Sequence, residues 1–154
     1  KYFHEKFLGI KINSHELKIL TPNFSDIVKA KVVKCDYVEG VLSFLQRSAK
    51  KYKLFISTGT PTVEIKSILK SRKISHFFHD TYGSPESKFY HIDKILSKYN
   101  YKPEELIFFG DSKTDFDAAY NYNIRFILIK NKENLDLQES FDGEKIVHFD
   151  ELNL

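Results

Sequence analysis

Four side chains, Thr58, Lys88, Asp111 and Asp115, could together do chemistry that none of them does alone. Thr58 lies within the run Lys53-Leu54-Phe55-Ile56-Ser57-Thr58-Gly59-Thr60-Pro61, and Lys88 follows Gly83-Ser84-Pro85. Both carboxylates lie in Ile107-Phe108-Phe109-Gly110-Asp111-Ser112-Lys113-Thr114-Asp115. A hydroxyl, an ammonium and a pair of acids are equipment for a phosphate and a divalent cation. In an open parallel sheet, ligands collect beyond the carboxyl ends of the strands, where Thr58 and Asp111 both fall. Gly59 and Gly110 are expected to let the backbone turn tightly there, so that exposed N–H groups and a following helix N-terminus seat an anion. Asp115, four residues after Asp111, falls one helical turn further on, where the two acids can ligate or orient one hard cation.

Taken singly, each residue has a plain structural reading. Thr58 serves as a strand-end hydroxyl or helix cap, Asp111 as a cap, Asp115 as a solvated first-turn acid and Lys88 as a surface lysine. Their order and spacing favour the joint reading.

The elements that must position them follow from hydrophobic period. From about Tyr2 to Lys34, apolar residues recur at helical spacing, with Ser14 as a candidate cap, and Cys35-Asp36-Tyr37 reads as a connector. From Val38 onward, helices alternate with short buried strands, the pattern of a doubly wound α/β domain with a parallel sheet. Helices are predicted at Val38–Lys51, Pro61–Ser71, Ser87–Tyr99 and Thr114–Tyr122, with a short turn near Ser75–Phe78. Strands are predicted at Lys53–Ser57, Asp80–Tyr82, Leu106–Phe109, Arg125–Leu128 and Lys145–Phe149. Pro61 and Pro103 suit helix starts. The polar stretch 131–143 reads as a loop or short surface helix.

With 154 residues and 42% hydrophobic content, the chain can bury one sizeable core. Its net charge of +3 comes from lysines scattered along the chain, which argues against a nucleic-acid footprint. A single cysteine, Cys35, excludes an intrachain disulfide and a thiolate metal cluster, and fits a cytoplasmic setting. No apolar run approaches the roughly 18 residues of a membrane helix. The absence of methionine and the opening at Lys1 read as upstream polypeptide removed or not shown. His76 and His79 bracket Phe77-Phe78 without a third ligand and are expected to pack, and His91, one turn beyond Lys88, could face the site but is expected at the surface. No Gly-x-Gly-x-x-Gly follows a strand, so a dinucleotide site is not expected.

From Val38 to about Ile129 the chain resembles the haloacid-dehalogenase-like phosphohydrolase superfamily. It is most similar to the helical-cap subgroup, with its phosphoglycolate phosphatase-like and β-phosphoglucomutase-like branches. The matching pieces are Tyr37-Val38-Glu39-Gly40-Val41, Thr58-Gly59-Thr60-Pro61, Gly83-Ser84-Pro85-Glu86-Ser87-Lys88, and Gly110 to Asp115 with Ala118-Ala119. The resemblance implies a Rossmann-like core over 37–154 and, over 1–36, the rear part of a helical cap. It implies that Thr58 and the Gly59 amide bind a phosphoryl oxygen, with Ser57 the alternative one residue away. Lys88 would neutralise the phosphoryl group and nucleophile, Asp111 would ligate Mg2+, and Asp115 would orient Lys88 or a metal-bound water.

The family's first motif, an Asp-x-Asp segment on a central strand, is absent; Phe141-Asp142-Gly143 comes too late and lacks the paired acid. The strands ending at Thr58 and Phe109 are therefore expected to face an unfilled gap, with two unpaired edges, in a piece of a longer protein. The function implied is a Mg2+-dependent phosphatase for a small phosphorylated metabolite, working through an aspartyl-phosphate on an upstream segment, with the 154 residues alone inactive. The alternatives are a phosphomutase, or a catalytically inactive domain that binds ligands or a protein partner. Neither nucleic acid nor membrane is expected as a partner.

Overall fold

The computed structural model describes residues 27–152. The chain divides into two units along the sequence, Lys1–Asp36 and Tyr37–Leu154. In the first, residues 27–34 are helical, and the remainder of the helical reading from Tyr2 lies outside the described residues.

The second unit alternates as its hydrophobic period dictates: α1 Val41–Ser48, β1 Leu54–Pro61, α2 Thr62–Ser71, β2 Phe78–Ser84, α3 Lys88–Tyr99, β3 Ile107–Gly110, α4 Lys113–Asn121, β4 Arg125–Ile129, α5 Leu135–Ser140 and β5 Lys145–Ile146. Among the described residues, all strand pairings are parallel. β4 carries the core because its side chains alternate between two covered faces. Phe126 and Leu128 pack with Ile92, Ala118, Ala119 and Ile124 from the α3 and α4 side. Ile127, on the opposite face, joins Phe44, Leu45, Ile146, Phe149 and Leu152.

The strands form two sheets, β1-β2 and β3-β4-β5. Among the described residues, β1 pairs only with β2 and β3 only with β4, so each keeps one unpaired edge. This is the expected break between the Thr58 strand and the Phe109 strand.

Several boundaries differ from expectation for local reasons. The first helix begins at Val41 rather than Val38 because Gly40 takes a left-handed φ of 76° at its N-cap. β1 runs on through Gly59 to Pro61 instead of turning. The register with β2 slips there, since Ser57 lies opposite Tyr82 and Pro61 opposite Ser84, so Thr58, Gly59 and Thr60 bulge against the single residue Gly83. β2 is longer than the Asp80–Tyr82 segment because its pairing with β1 also reaches Phe78, opposite Leu54, and Ser84, opposite Pro61. The final strand stops at Ile146 rather than Phe149. Glu151 accepts from the Val147 and His148 amides at 2.8 Å, and a 3-10 turn at Phe149–Glu151 swings Phe149 into the core.

Candidate active site

The carboxyl ends of β1, β3 and β4 open onto a cavity of about 340 Å³. Val38, Ser57, Thr58, Lys88, Asp111 and Asp115 line it, as do Lys130 and Asn131. The four residues singled out by spacing thus share one cavity, although they are as many as 57 positions apart, Thr58 to Asp115.

Local sequence explains how α4 presents its acid. Ser112 is the N-cap, and Asp115 is the third residue of a capping box. Asp115 Oδ2 accepts from the Ser112 amide at 3.2 Å and from Ser112 Oγ at 2.5 Å. Its other oxygen accepts from Lys88 Nζ at 2.5 Å, with the side chains only 18% (Lys88) and 8% (Asp115) exposed. Lys88 also donates to Ser112 Oγ at 3.3 Å and to Thr114 Oγ1 at 3.1 Å. Asp115 is therefore no solvated acid, and Lys88 is no surface lysine: together they lock the first turn of α3 to the first turn of α4. Gly110 allows this approach, since a Cβ there would lie 2.3 Å from Asp115 Cβ.

Asp111 stands free of that pair. Its Oδ2 accepts from Asn131 Nδ2 at 3.1 Å, and its carbonyl accepts from Asn134 Nδ2 at 2.8 Å. Asn134 is buried and fully employed. Its second N–H reaches the Ile129 carbonyl at 2.9 Å, while its Oδ1 accepts from the Asn131 amide at 3.0 Å and from Gln138 Nε2 at 2.6 Å. One side chain thereby ties the end of β3 to the end of β4. Thr58 is half-buried, and its Oγ1 accepts from the Thr60 amide at 3.2 Å.

His91, expected at the surface, is 1% exposed. Its ring bridges Ser57 Oγ at 2.8 Å and the Gly83 carbonyl at 3.2 Å. Burial, reinforced by the Lys88 charge, holds its pKa below the usual histidine value against the opposing influence of the Gly83 carbonyl and Glu86. The signal was available in the helical stripe Lys88, His91, Ile92 and Ile95, which faces inward as a unit. Asn131 and Asn134 gave no such signal, because they lie in a polar stretch without period. His76 and His79 do pack, His76 on Phe77 and His79 against Phe55 and Tyr99.

The chain matches the model of the haloacid dehalogenase-like hydrolase family over residues 5–129 and belongs to that family. A curated relative, phosphoglycolate phosphatase from Haemophilus influenzae strain 86-028NP, is 29% identical over a match covering 49% of this chain and 42% of that enzyme. The chain thus spans less than half the length of that relative. A haloacid dehalogenase-like family hydrolase from Streptococcus pneumoniae is 25% identical in sequence, covering 87% of this chain and 67% of its own, with a TM-score of 0.69. The fold is shared as well with a solved protein described as a predicted phosphoglycolate phosphatase from Haemophilus somnus 129pt. That structure has a TM-score of 0.76 at 21% identity and covers 92% of this chain and 67% of its own. No described helix is long and apolar enough to cross a membrane.

Magnesium, the cation implied by the family, finds one suitable group here. Asp111 offers a carboxylate oxygen beyond its bond to Asn131, whereas both oxygens of Asp115 are taken. No cluster of three or more His, Cys, Asp or Glu occurs among the described residues. Because Mg2+ demands near-octahedral oxygen coordination, Asp111 fits as a single ligand and the described residues do not complete a site.

Proposed function

We propose that this chain is part of a phosphatase acting on a small phosphorylated metabolite, with Mg2+ as its cation and an aspartate on polypeptide outside these 154 residues as its nucleophile. Residues 1–36 are assigned to its cap. The observation that carries this reading is the meeting of Thr58, Lys88, Asp111 and Asp115 in one cavity where β1 and β3 each leave an edge unpaired. A strand seated between those edges would bring its own carboxyl end to the same cavity.

In this reading the aspartate attacks phosphorus, the ester oxygen leaves, and water hydrolyses the resulting aspartyl-phosphate. Thr58 and the Gly59 amide hold a phosphoryl oxygen. Lys88, fixed by Asp115, stabilises charge as the group transfers, where preorganised electrostatics contribute most. The ionisable residues lining the cavity are two lysines and two aspartates, so their formal charges cancel. A phosphoryl dianion entering that lining is better matched when a cation accompanies it, which supports Asp111 as a Mg2+ ligand.

The test is steady-state hydrolysis of an aryl phosphate, phosphoglycolate and a panel of sugar phosphates. The 154-residue chain alone is expected to be inactive, and the complete polypeptide to turn over with Mg2+. In the latter, Lys88→Ala should lower kcat by a barrier change of roughly 2.7–4 kcal/mol, and Asp111→Asn should weaken Mg2+ binding. Near-native turnover by both variants defeats the assignment.

A further inference from the structure

The bridge made by His91 decides which hydroxyl at the end of β1 can serve an anion. The Gly83 carbonyl can only accept, so the ring nitrogen facing it, Nε2, carries a hydrogen. The ring is buried against the Tyr82 ring, 5.7 Å between centroids, with Lys88 and Glu86 as its charged neighbours. A buried imidazole favours the neutral form, and with Nε2 protonated the other nitrogen presents a lone pair. Ser57 Oγ, 2.8 Å from Nδ1, must then be the donor. A serine has one hydroxyl hydrogen, so Ser57 keeps only lone pairs for anything else. Thr58, next along the strand, accepts from the Thr60 amide at 3.2 Å and gives its own hydrogen only to a long 3.4 Å contact with Thr60 Oγ1, which an anion can replace.

We propose that His91 is a positioning residue that holds the Ser57 hydroxyl as a donor toward α3, so that an anion at the end of β1 is met by the Thr58 hydroxyl and not by Ser57. This rests on the phosphate-handling reading of the cavity and sharpens it. Two adjacent hydroxyls could compete for one phosphoryl oxygen, and the imidazole removes one of them. Because His91 sits one turn after Lys88 on α3, the same helix face supplies the cation and sets the hydroxyl.

Long-range 1H–15N NMR on the chain reads the ring directly, and sulfate, which stays a dianion from pH 5 to 8, probes the anion seat. At pH 7.5, His91 should show a protonated Nε2 and a hydrogen-bonded, unprotonated Nδ1, and the Nδ1 signal should stay in place when sulfate saturates the protein. Ser57→Ala should move Nδ1 to the position of an unbonded nitrogen and raise the His91 pKa, because a hydrogen bond to the neutral ring is lost. Sulfate affinity should fall about tenfold in Thr58→Val, the effect of one hydrogen bond to a charged group, and by less than about twofold in Ser57→Ala. A protonated Nδ1, an Nδ1 signal that moves on sulfate binding, or equal losses in the two variants overturns the proposal. Failure of sulfate to bind at all defeats the anion-seat reading and the role assigned here to Thr58, whatever the NMR shows of the ring.

Discussion

Removing the Lys88 ammonium while keeping its stem, as in Lys88→Met, should be among the most damaging single changes in the second unit. Lys88 and Asp115 are 18% and 8% exposed and meet at 2.5 Å, so the variant leaves a nearly buried carboxylate without its cation. Breaking such a pair from one side costs about 3–5 kcal/mol, most of it the penalty of the orphaned charge. The Ser112 amide and hydroxyl still bind Asp115 at 3.2 and 2.5 Å, which points to the lower end, about 3 kcal/mol. For a domain of this size that is a fall in Tm of roughly 6–12 °C. The double variant Lys88→Met/Asp115→Asn removes the orphan as well and should be more stable than Lys88→Met alone, giving a coupling of about 1.5 kcal/mol or more. Urea unfolding followed by circular dichroism, with unchanged m-values, measures all four corners of the cycle. A cost below about 1 kcal/mol for Lys88→Met, or strict additivity, would show that the pair is effectively solvated and that the geometry has been misjudged.

Three further outcomes are expected. Gly110→Ala places a Cβ 2.3 Å from Asp115 Cβ, a backbone-anchored atom, and should cost about 1–3 kcal/mol while displacing Asp115 from Lys88; unchanged unfolding would contradict the contact. Burial alone would raise the Asp80 pKa, but hydrogen bonds from Lys98, the Thr81 amide and Tyr82 outweigh it and lower the value from 3.8 to about 2. Its contribution is therefore present above pH 3.8 and lost as pH falls from there toward 2. With Lys98 54% exposed, Asp80→Asn should cost about 1–2 kcal/mol at pH 7 and flatten the acid limb in that window; parallel pH–stability curves for variant and parent would be the contrary result. Asn134→Ala strands the Asp111 and Ile129 carbonyls and should cost about 2 kcal/mol, with amide exchange accelerating at the ends of β3 and β4 and not in β2.

What was legible in the sequence was whatever repeats with a local period or sits at a fixed offset from it. The strand cores Leu54–Ile56, Ile107–Phe109 and Phe126–Leu128 are apolar runs between turn signals. The second and third strands of this set match their expected bounds within one residue, and the first starts within one but ends four residues later than Ser57. The gap followed from the family resemblance, which places the absent first strand between the strands ending at Thr58 and Phe109 and so leaves both with a free edge. Boundaries failed where a single backbone state or side-chain bond decided them, as at Gly40, with φ of 76°, and at Glu151, which closes the last turn. Such events carry no period.

The cavity divides in the same way. Thr58, Lys88, Asp111 and Asp115 stand at strand ends or in the first turns of helices, positions that topology alone brings to one edge. His91 and Asn134 are polar groups whose burial depends on partners from other elements: Ser57 and Gly83 for one, Asp111, Ile129 and Gln138 for the other. A buried polar side chain is tolerated only when such partners exist, so its environment is a property of the assembled fold and not of its neighbours in sequence. The consequence reaches the chemistry. The resemblance pointed to Thr58 with Ser57 as the fallback one residue away, and in our proposal what separates them is a hydrogen-bond polarity set by an imidazole 34 positions from Ser57.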